Sequence, residues 1–339
     1  MENIIDTDSK KIVVVGSGAF GTAIAESLVR NEDSNNEIIL FGINQKEIND
    51  INKNRKNSKY YSLKLSPKLK GTYKPEEAFI DADIILLVVP SAALSVCINE
   101  SIIPYLTKPA HFVNLSKGFD YLNQNTLSKA IKSIIPPQMC EGVYKLAGAS
   151  FASEVIEKQP TYFVLASDDI EKSKLIAKEL SNKTMKITPY NSIEAIEWLS
   201  IIKNPLALLQ GVIAGLGYKV NTRALFFTKA LNEMKIIFEF LGYDDNIIFS
   251  PAGIGDLYLT GTSRKSRNYK TGYTIGKNNK VTKKILERFS TVEGIRSIEV
   301  LLRIAAKNDL KLNLIELLYN ITYKKEKPSK IISEFLDGL

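Results

Sequence analysis

Histidine is almost absent from this chain of 339 residues, which contains only His111. Hydrolases with a Ser-His-Asp triad and metal centres with several histidines both depend on this residue. These classes are therefore excluded, and no metal site is predicted. If the protein performs acid/base chemistry, a different side chain carries the proton.

Cysteine is nearly as scarce. Cys97 and Cys140 are the two in the chain, and neither belongs to a C-x-x-C pair. Two cysteines are too few for a disulfide scaffold, which indicates a reducing compartment. The first ten residues also lack the basic-then-apolar order of a signal peptide. A cytoplasmic location is therefore predicted.

Long uninterrupted apolar runs are missing as well. The most apolar stretch, residues 198–217, is long enough to suggest a membrane span. It is interrupted by four residues that hydrocarbon does not favour: Lys203, Asn204, Pro205 and Gln210. We therefore expect a buried core helix and no membrane insertion.

The charge balance is moderately basic, with 45 Lys and Arg against 37 Asp and Glu, for a net charge of +8. Such a balance suits an anionic partner. The lysine-rich segments 53–70 and 277–284 are typical of solvated faces, and no helix-turn-helix, RNA-binding or zinc-finger signature is present. Nucleic-acid binding is not predicted.

The first half of the chain alternates short β-branched runs with helical patterns. The predicted strands are residues 11–15, 37–41, 83–89, 112–115, 145–148 and 162–166, and the predicted helices are 22–30, 46–54, 92–105 and 126–135. This alternation predicts an α/β domain with a mostly parallel, doubly wound sheet.

The pattern changes near residue 190. Residues 193–241 and 283–318 have apolar side chains at three- and four-residue spacing, which is typical of helices. The sequence therefore predicts two domains, an α/β domain over residues 1–190 and an all-α domain over residues 191–339.

A glycine-rich loop follows the first predicted strand. It reads Gly16-Ser17-Gly18-Ala19-Phe20-Gly21, which fits G-x-G-x-x-G between a strand and a helix. In this motif the first glycine permits a tight turn, the second lets the backbone approach a pyrophosphate, and the third allows close packing of helix on strand. The loop predicts a dinucleotide-binding site at the helix N-terminus. A non-enzymatic, dinucleotide-sensing regulator is the alternative to an enzyme.

The end of the second predicted strand, where the cofactor ribose is often recognised, has neither an acid nor an arginine. Asn44 could hydrogen-bond a ribose hydroxyl, and Lys46 could meet a 2′-phosphate. Both NAD and NADP therefore stay open as cofactors. A purely structural role for both residues is the alternative.

Two lysines are candidates for the missing proton carrier. Lys117 follows a strand whose carboxyl end should lie on the ligand side of the sheet. Lys203 is surrounded by apolar residues, where an ammonium is unfavourable unless it is paired. Desolvation near other cations lowers the pKa of a lysine towards the range useful for acid/base catalysis. The alternative for Lys203 is a snorkelling lysine at a helix end.

A third cluster occupies residues 250–268. Arg267 and Asn268 could bind a phosphate, because a guanidinium matches its oxygens. Asp256, among small and apolar residues, could hold a lysine in place. The alternative is a solvated basic loop with a structural aspartate.

Together these residues resemble the bacterial NAD(P)-dependent glycerol-3-phosphate dehydrogenases along nearly the whole chain. The shared motifs are Gly16 to Gly21, Val89-Pro90-Ser91, Ser116-Lys117-Gly118, Gly148 with Phe151 and Ala152, Lys203-Asn204, Asn221, Ala224, Glu233-Met234, Gly253-Ile254-Gly255-Asp256, Thr260, Ser266-Arg267-Asn268 and Val292-Glu293-Gly294. The chain departs from the family pattern at Ala147, Ala149, Ala214 and Lys219.

The resemblance implies a Rossmann-like domain followed by an all-α domain like that of 6-phosphogluconate dehydrogenase. It implies reversible reduction of dihydroxyacetone phosphate to sn-glycerol 3-phosphate for phospholipid precursor supply, by a homodimer. A related two-domain hydroxy-acid dehydrogenase is the alternative.

The resemblance also implies a role for each site residue. The catalytic residues would be Lys203, Lys117 and Asp256, and the substrate-binding residues Lys117, Asn204, Thr260, Arg267 and Asn268. The cofactor-binding residues would be Gly16, Ser17, Gly18, Ala19, Phe20, Gly21, Asn44, Pro90, Lys117, Ala152, Arg267 and Glu293.

Overall fold

The computed structural model describes residues 9–120, 125–288 and 292–339. The chain divides into two compact units at the bond between Glu194 and Ala195. The sequence places the change of pattern after residue 190, where the last strand of the first unit ends.

The first unit is built on a sheet of eight strands in the order β3-β2-β1-β4-β5-β6-β7-β8. The strands are β1 Lys11–Val15, β2 Glu37–Phe41, β3 Lys70–Thr72, β4 Ile84–Leu87, β5 Ala110–Asn114, β6 Cys140–Gly148, β7 Thr161–Ala166 and β8 Met185–Tyr190. Neighbouring strands are parallel except β6 and β7, which are antiparallel. The strand order reverses between β1 and β4, which makes this the point where α/β sheets bind ligands.

Helices cover both faces of this sheet. They are α1 Ala19–Val29, α2 Gln45–Asn54, α3 Pro75–Phe79, α4 Leu94–Val96, α5 Leu127–Ile134, α6 Ala152–Ile156 and α7 Ile170–Leu180. Side chains of α1, α2, α6 and α7 share one apolar core with the sheet, and those of α3, α4 and α5 share the other. The predicted doubly wound domain is confirmed.

The predicted continuous helix over residues 92–105 is wrong. This segment is a 3₁₀ turn at Ser91–Ala93, the short α4, a π-helical stretch at Cys97–Ile102 and a second 3₁₀ turn at Ile103–Tyr105. Pro104 lies in the last turn and has no N–H to continue an α-helical ladder. Apolar spacing alone predicts the buried face of such a segment but not its hydrogen-bond pattern.

Two edge strands, β3 and β8, are absent from the sequence prediction. β3 has three residues and no apolar alternation. β8 contains Pro189, which a central strand would not tolerate because it cannot donate to the ladder. Both strands lie at an edge of the sheet, where pairing on one side suffices.

The described residues of the second unit form helices and turns, with no strand. Its helices are α8 Ile193–Gly215, α9 Val220–Leu241, α10 Asp256–Thr262, α11 Arg267–Asn278, α12 Lys283–Arg288, α13 Glu293–Lys307, α14 Asn313–Thr322 and α15 Pro328–Asp337. The predicted all-α domain is confirmed. Residues 289–291, inside the predicted helical stretch 283–318, lie outside the described residues. Among the helices described, none is long and apolar enough to cross a membrane.

Helices α8 and α11 pack with their backbones in contact. A methyl group added at Gly272 of α11 would overlap the carbonyl oxygen of Leu208, and one at Gly276 would overlap that of Val212. The residue numbers of the contacts increase in the same direction along both helices. Helices α8 and α11 are therefore parallel and lie side by side. Only glycine permits this approach.

We expect Gly272→Ala to lower the free energy of unfolding by about 3 kcal/mol, because the new methyl group has no space between the two backbones. Urea unfolding followed by circular dichroism measures the change. Gly338→Ala is the matched control, since its methyl group would lie 3.5 Å from the nearest atom, an ordinary contact. Equal stability of the two variants would contradict the close packing.

A buried carboxylate holds the start of α14. Glu233 of α9 accepts hydrogen bonds from the backbone N–H groups of Leu314 and Ile315, at 2.8 and 2.9 Å. The two contacts satisfy N–H groups that the first turn of a helix leaves without partners. Burial nevertheless raises the pKa of the Glu233 carboxyl to about 7.

This raised pKa makes the stability depend on pH. The folded state keeps the Glu233 proton to a higher pH than the unfolded chain, whose carboxyl has a pKa near 4.5. The stability that protonated Glu233 contributes is therefore fully present below pH 4.5 and is lost as the pH rises through 7. This loss lowers the free energy of unfolding by up to about 3 kcal/mol, and we expect Glu233→Gln to abolish it. Urea midpoints at pH 4.5 and 7.5 measure it, and Glu239→Gln, an exposed carboxylate of the same helix, should leave the decline unchanged.

Candidate active site

The glycine loop joins β1 to α1 with two glycines that the fold itself requires. Gly16 has φ +118°, and a methyl group there would lie 2.7 Å from the carbonyl oxygen of Val88. A methyl group on Gly21 would overlap the carbonyl oxygen of Gly16. Gly18 differs, because nothing lies within 4 Å of its added methyl position. Gly18 is also the N-cap of α1 and supplies no side-chain cap, so the helix start can accept an anion.

An acid missed by the sequence analysis lies behind this loop. The buried Glu47 accepts a hydrogen bond from the hydroxyl of Ser17 at 2.7 Å and forms an ion pair with Lys59 at 2.7 Å. It lies in the first turn of α2, whereas a ribose-binding acid is expected earlier, at the end of β2. The sequence signal that could have found it is Asn44 followed by Glu47, an arrangement typical of a helix start.

Asn44 itself is the N-cap of α2. Its carbonyl oxygen accepts from the N–H groups of Lys46 and Glu47, at 3.0 and 3.3 Å. Its amide nitrogen donates to the Glu47 carboxylate at 3.3 Å. The exposed Asn44 therefore has a structural function, while a contact with the ribose stays a prediction.

The turn that carries Lys117 is fixed by contacts of Ser116. The Ser116 hydroxyl donates to the carbonyl oxygen of Val89 at 2.7 Å, next to Pro90. The Ser116 N–H donates to the side chain of Asn114 at 2.9 Å, and the Ser116 carbonyl accepts from the Lys145 ammonium at 2.6 Å. Lys117 is exposed at this edge of the sheet. Sequence reasoning missed Lys145, which is an interior residue of β6.

Two further predicted cofactor residues pack on one core. Phe20 of α1 and Ala152 of α6 are both half-buried against the apolar core that these helices share. Gly148, at the end of β6, packs directly against the backbone of Tyr162, so the turn leading to Ala152 is tightly placed.

In the second unit, Lys203 of α8 forms an ion pair with Asp256 of α10. Their exposed fractions are 1% and 2%, so Lys203 does not snorkel to solvent and that alternative is wrong. A buried ammonium beside a buried carboxylate avoids the penalty of an isolated charge. The pairing of Asp256 with a lysine, predicted from the residues, is therefore present. The Thr260 hydroxyl donates to the carbonyl of Asp256 one turn earlier.

A chain of side-chain amides adjoins this pair. The Asn204 amide nitrogen donates to the Glu293 carboxylate at 3.0 Å, and the Asn268 amide nitrogen donates to the Asn204 oxygen at 2.9 Å. The Asn268 oxygen accepts from the N–H of Gly294 at 3.1 Å. These contacts join α8, α11 and α13. Arg267 is the first residue of α11 and is exposed, so it lies on a helix rather than in a loop, while its phosphate-binding role stays a prediction.

No three His, Cys, Asp or Glu side chains within the described ranges lie close enough to hold a metal ion. His111 lies in β5, where its Nδ1 is 3.0 Å from the hydroxyl of Tyr144 and burial lowers the pKa of the imidazole. The histidine therefore lies apart from the residues assembled above.

Comparison with protein families decides the relationship. Residues 11–173 match the model described as "NAD-dependent glycerol-3-phosphate dehydrogenase N-terminus", and residues 193–333 match the corresponding C-terminus. The chain belongs to this family. The resemblance inferred from the sequence motifs is confirmed.

Individual glycerol-3-phosphate dehydrogenases are similar over almost their whole length. Glycerol-3-phosphate dehydrogenase [NAD(P)+] of Mesoplasma florum is 34% identical over 327 residues, 96% of each chain. The protein of the same name from Staphylococcus epidermidis strain RP62A is 30% identical over 329 residues, 97% of this chain and 98% of that one.

Solved glycerol-3-phosphate dehydrogenases share the fold. The Coxiella burnetii structure superposes with a TM-score of 0.80 at 24% identity, covering 97% of this chain and 99% of that one. The Plasmodium falciparum structure superposes with a TM-score of 0.83 at 21% identity, covering 96% and 95%.

Two of the four departures from the glycerol-3-phosphate dehydrogenase pattern, Ala147 and Lys219, lie in ordinary backbone positions. Ala147 pairs with Val164 within the ladder of β6 and β7. Lys219 is the N-cap of α9 with φ −87°, a conformation that does not require glycine. Neither residue disturbs the backbone around it.

We expect Gly18→Val to abolish dinucleotide binding while the protein stays folded, because the branched side chain enters open space in the free protein but would occupy the place of a pyrophosphate. Titration of NADH fluorescence measures binding, and circular dichroism verifies the fold. Val29→Ala, at the far end of α1, is the control and should bind normally. Unchanged affinity of Gly18→Val would refute a dinucleotide at this loop.

Proposed function

We propose that this protein catalyses the reversible reduction of dihydroxyacetone phosphate to sn-glycerol 3-phosphate with NADH or NADPH, a step that supplies a phospholipid precursor. Family membership and the names of the two relatives support this activity. The observation that carries it is the buried pair of Lys203 and Asp256 beside the amide chain of Asn204 and Asn268.

The first unit is the proposed dinucleotide-binding domain. Its uncapped helix start and the open space at Gly18 fit a pyrophosphate. The proposed cofactor residues of this unit are Gly16, Ser17, Gly18, Ala19, Phe20, Gly21, Asn44, Pro90, Lys117 and Ala152, and those of the second unit are Arg267 and Glu293. The nicotinamide supplies the hydride chemistry, and the protein supplies binding, orientation and charge.

Cofactor choice would depend on charges at the start of α2. Glu47 brings a negative charge that disfavours a 2′-phosphate, while its partner Lys59 offsets that charge. Lys46 adds an exposed positive charge nearby in the sequence. We propose that the protein discriminates only weakly between NADH and NADPH, because side chains of both charge signs lie at the start of α2.

Lys203 is the proposed acid/base residue. Its ammonium would donate a proton to the oxygen that becomes the alcohol. In the reverse direction the neutral amine would take the proton back. Asp256 holds the ammonium in position without leaving it as an isolated buried charge. Lys117 is proposed to stabilise negative charge at the reacting oxygen.

The substrate phosphate is the proposed ligand of Arg267. The guanidinium stands at the start of α11, where the helix dipole also favours an anion. Asn204, Asn268 and Thr260 complete the proposed substrate-binding set, along with Lys117. The amide chain fixes the first two, so that remote phosphate binding can orient the carbonyl group.

A homodimer in the cytoplasm completes the proposal. The family resemblance supports the dimer, and the two free cysteines, Cys97 and Cys140, suit a reducing compartment. Light scattering of the purified protein measures the oligomeric state.

The direct test supplies dihydroxyacetone phosphate with NADH and NADPH in turn and follows the nicotinamide absorbance. A 2-keto acid is assayed in parallel, because a hydroxy-acid dehydrogenase would reduce it instead. We expect turnover of the phosphorylated ketone alone. Reduction of the keto acid in its place would reject the proposed substrate.

We expect Lys203→Ala to lose about three to five decades of turnover, combining a general-acid contribution with lost charge stabilisation. Cofactor binding should persist, because the glycine loop is unchanged. A small primary amine is added to restore the missing proton donor. Lys330→Ala, an exposed lysine of α15, is the control and should keep normal turnover.

Loss of Lys203 also leaves Asp256 without this cation, which can destabilise the fold. The double variant Lys203→Met with Asp256→Leu removes both charges and separates folding from chemistry, since it should fold and remain inactive. Near-normal turnover of a folded Lys203 variant would move the proton-donor role to Lys117.

A further inference from the structure

Lys145 is a buried ammonium outside the residue set described above for catalysis and binding. It lies in the interior of β6, with an exposed fraction of 2%, and pairs in register with Asn114 of β5 and Ala166 of β7. A charged side chain at such a position is strongly unfavourable unless its donors are satisfied. A methionine would fill a similar volume without this penalty, and such replacements of buried charges often leave stability unchanged or improved. Packing therefore does not explain why lysine stands here.

The contact of this ammonium points to its function. Lys145 Nζ donates to the carbonyl oxygen of Ser116 at 2.6 Å, and this hydrogen bond is buried. The N–H and hydroxyl of Ser116 are held as well, by Asn114 and by the backbone of Val89. Lys145 thus fixes the peptide group that leads directly into Lys117. A charged donor makes this hydrogen bond stronger than a neutral one would.

We propose that Lys145 is a positioning residue, which holds the turn of Ser116 so that Lys117 keeps its working geometry. The inference rests on the role proposed above for Lys117. Lys117 is exposed, and Gly118 after it has φ +117°, so the position from which its side chain starts is set by this turn. Lys145 supplies an anchor from the neighbouring strand, in addition to the contacts that Ser116 makes with Asn114 and Val89.

The test is a double-mutant cycle with Lys117→Ala and Lys145→Met in the full-length protein. Steady-state kcat and KM for dihydroxyacetone phosphate are measured on each single variant and on the double variant, with thermal unfolding as a check on the fold. Lys172→Met is the matched control, because the Lys172 ammonium also donates to a carbonyl of β6, that of Glu141 at 2.7 Å, but at an exposed end.

We expect Lys145→Met to lower kcat/KM by about 10- to 100-fold in a protein that stays folded at the assay temperature, as small displacements of a reacting group do. In the Lys117→Ala background the same change should have no further effect, because the residue that Lys145 positions is gone. Lys172→Met should match the unchanged protein. If Lys145→Met does not fold, Lys145→Gln, which keeps an uncharged donor, enters the same cycle.

Wild-type kcat/KM in the Lys145 variant, or an equal loss in both backgrounds, would overturn the inference. An equal loss would mean that Lys145 acts independently of Lys117. Full activity of Lys117→Ala is a separate result, since it would reject the role proposed for Lys117 and remove the basis of the positioning role. The single and double variants therefore distinguish the two failures.

Discussion

The contact between the backbones of α8 and α11 organises the second unit. Leu208 meets Gly272 and Val212 meets Gly276, each pair separated by 64 positions in the sequence. Asn204 and Asn268 have the same separation, so their hydrogen bond extends the same alignment by one turn. Because the glycines fix the two helices side by side, they also fix how Arg267 and Asn268 stand relative to Lys203 and Asn204. The packing of small residues therefore determines the placement of polar ones.

The ion pair of Lys203 and Asp256 adds a charged contact from α10 to this arrangement. In water such a pair contributes little, but here neither partner can recover its hydration without local unfolding. The pair is therefore a permanent part of the unit rather than a surface contact that forms and breaks. In the proposed proton-donor role, an ammonium held in this way would need little reorganisation when charge develops on a bound molecule.

The sequence predicted those features that local patterns encode. The glycine loop, the α/β alternation and the partnership of a buried lysine with Asp256 follow from motif context and from the cost of an isolated charge. Glu47 and Lys145 could not be found in this way. The helix start at Asn44 indicates where Glu47 lies, but its place behind the glycine loop follows only from its contact with Ser17, and that of Lys145 only from the register of β5 and β6. Both depend on contacts between residues far apart in the chain, which periodicity does not report.

The hydrogen bonds of the amide chain all run in one direction from donor to acceptor. It starts at the N–H of Gly294, passes through Asn268 and Asn204, and ends at the carboxylate of Glu293, the residue before Gly294. The contacts thus form a closed ring that begins and ends on the same peptide. A backbone N–H can only donate, so the hydrogen bonds that start at Gly294 cannot run in reverse. Neither asparagine can exchange its oxygen and nitrogen, and the orientation of these two buried amides is decided by two adjacent residues of α13.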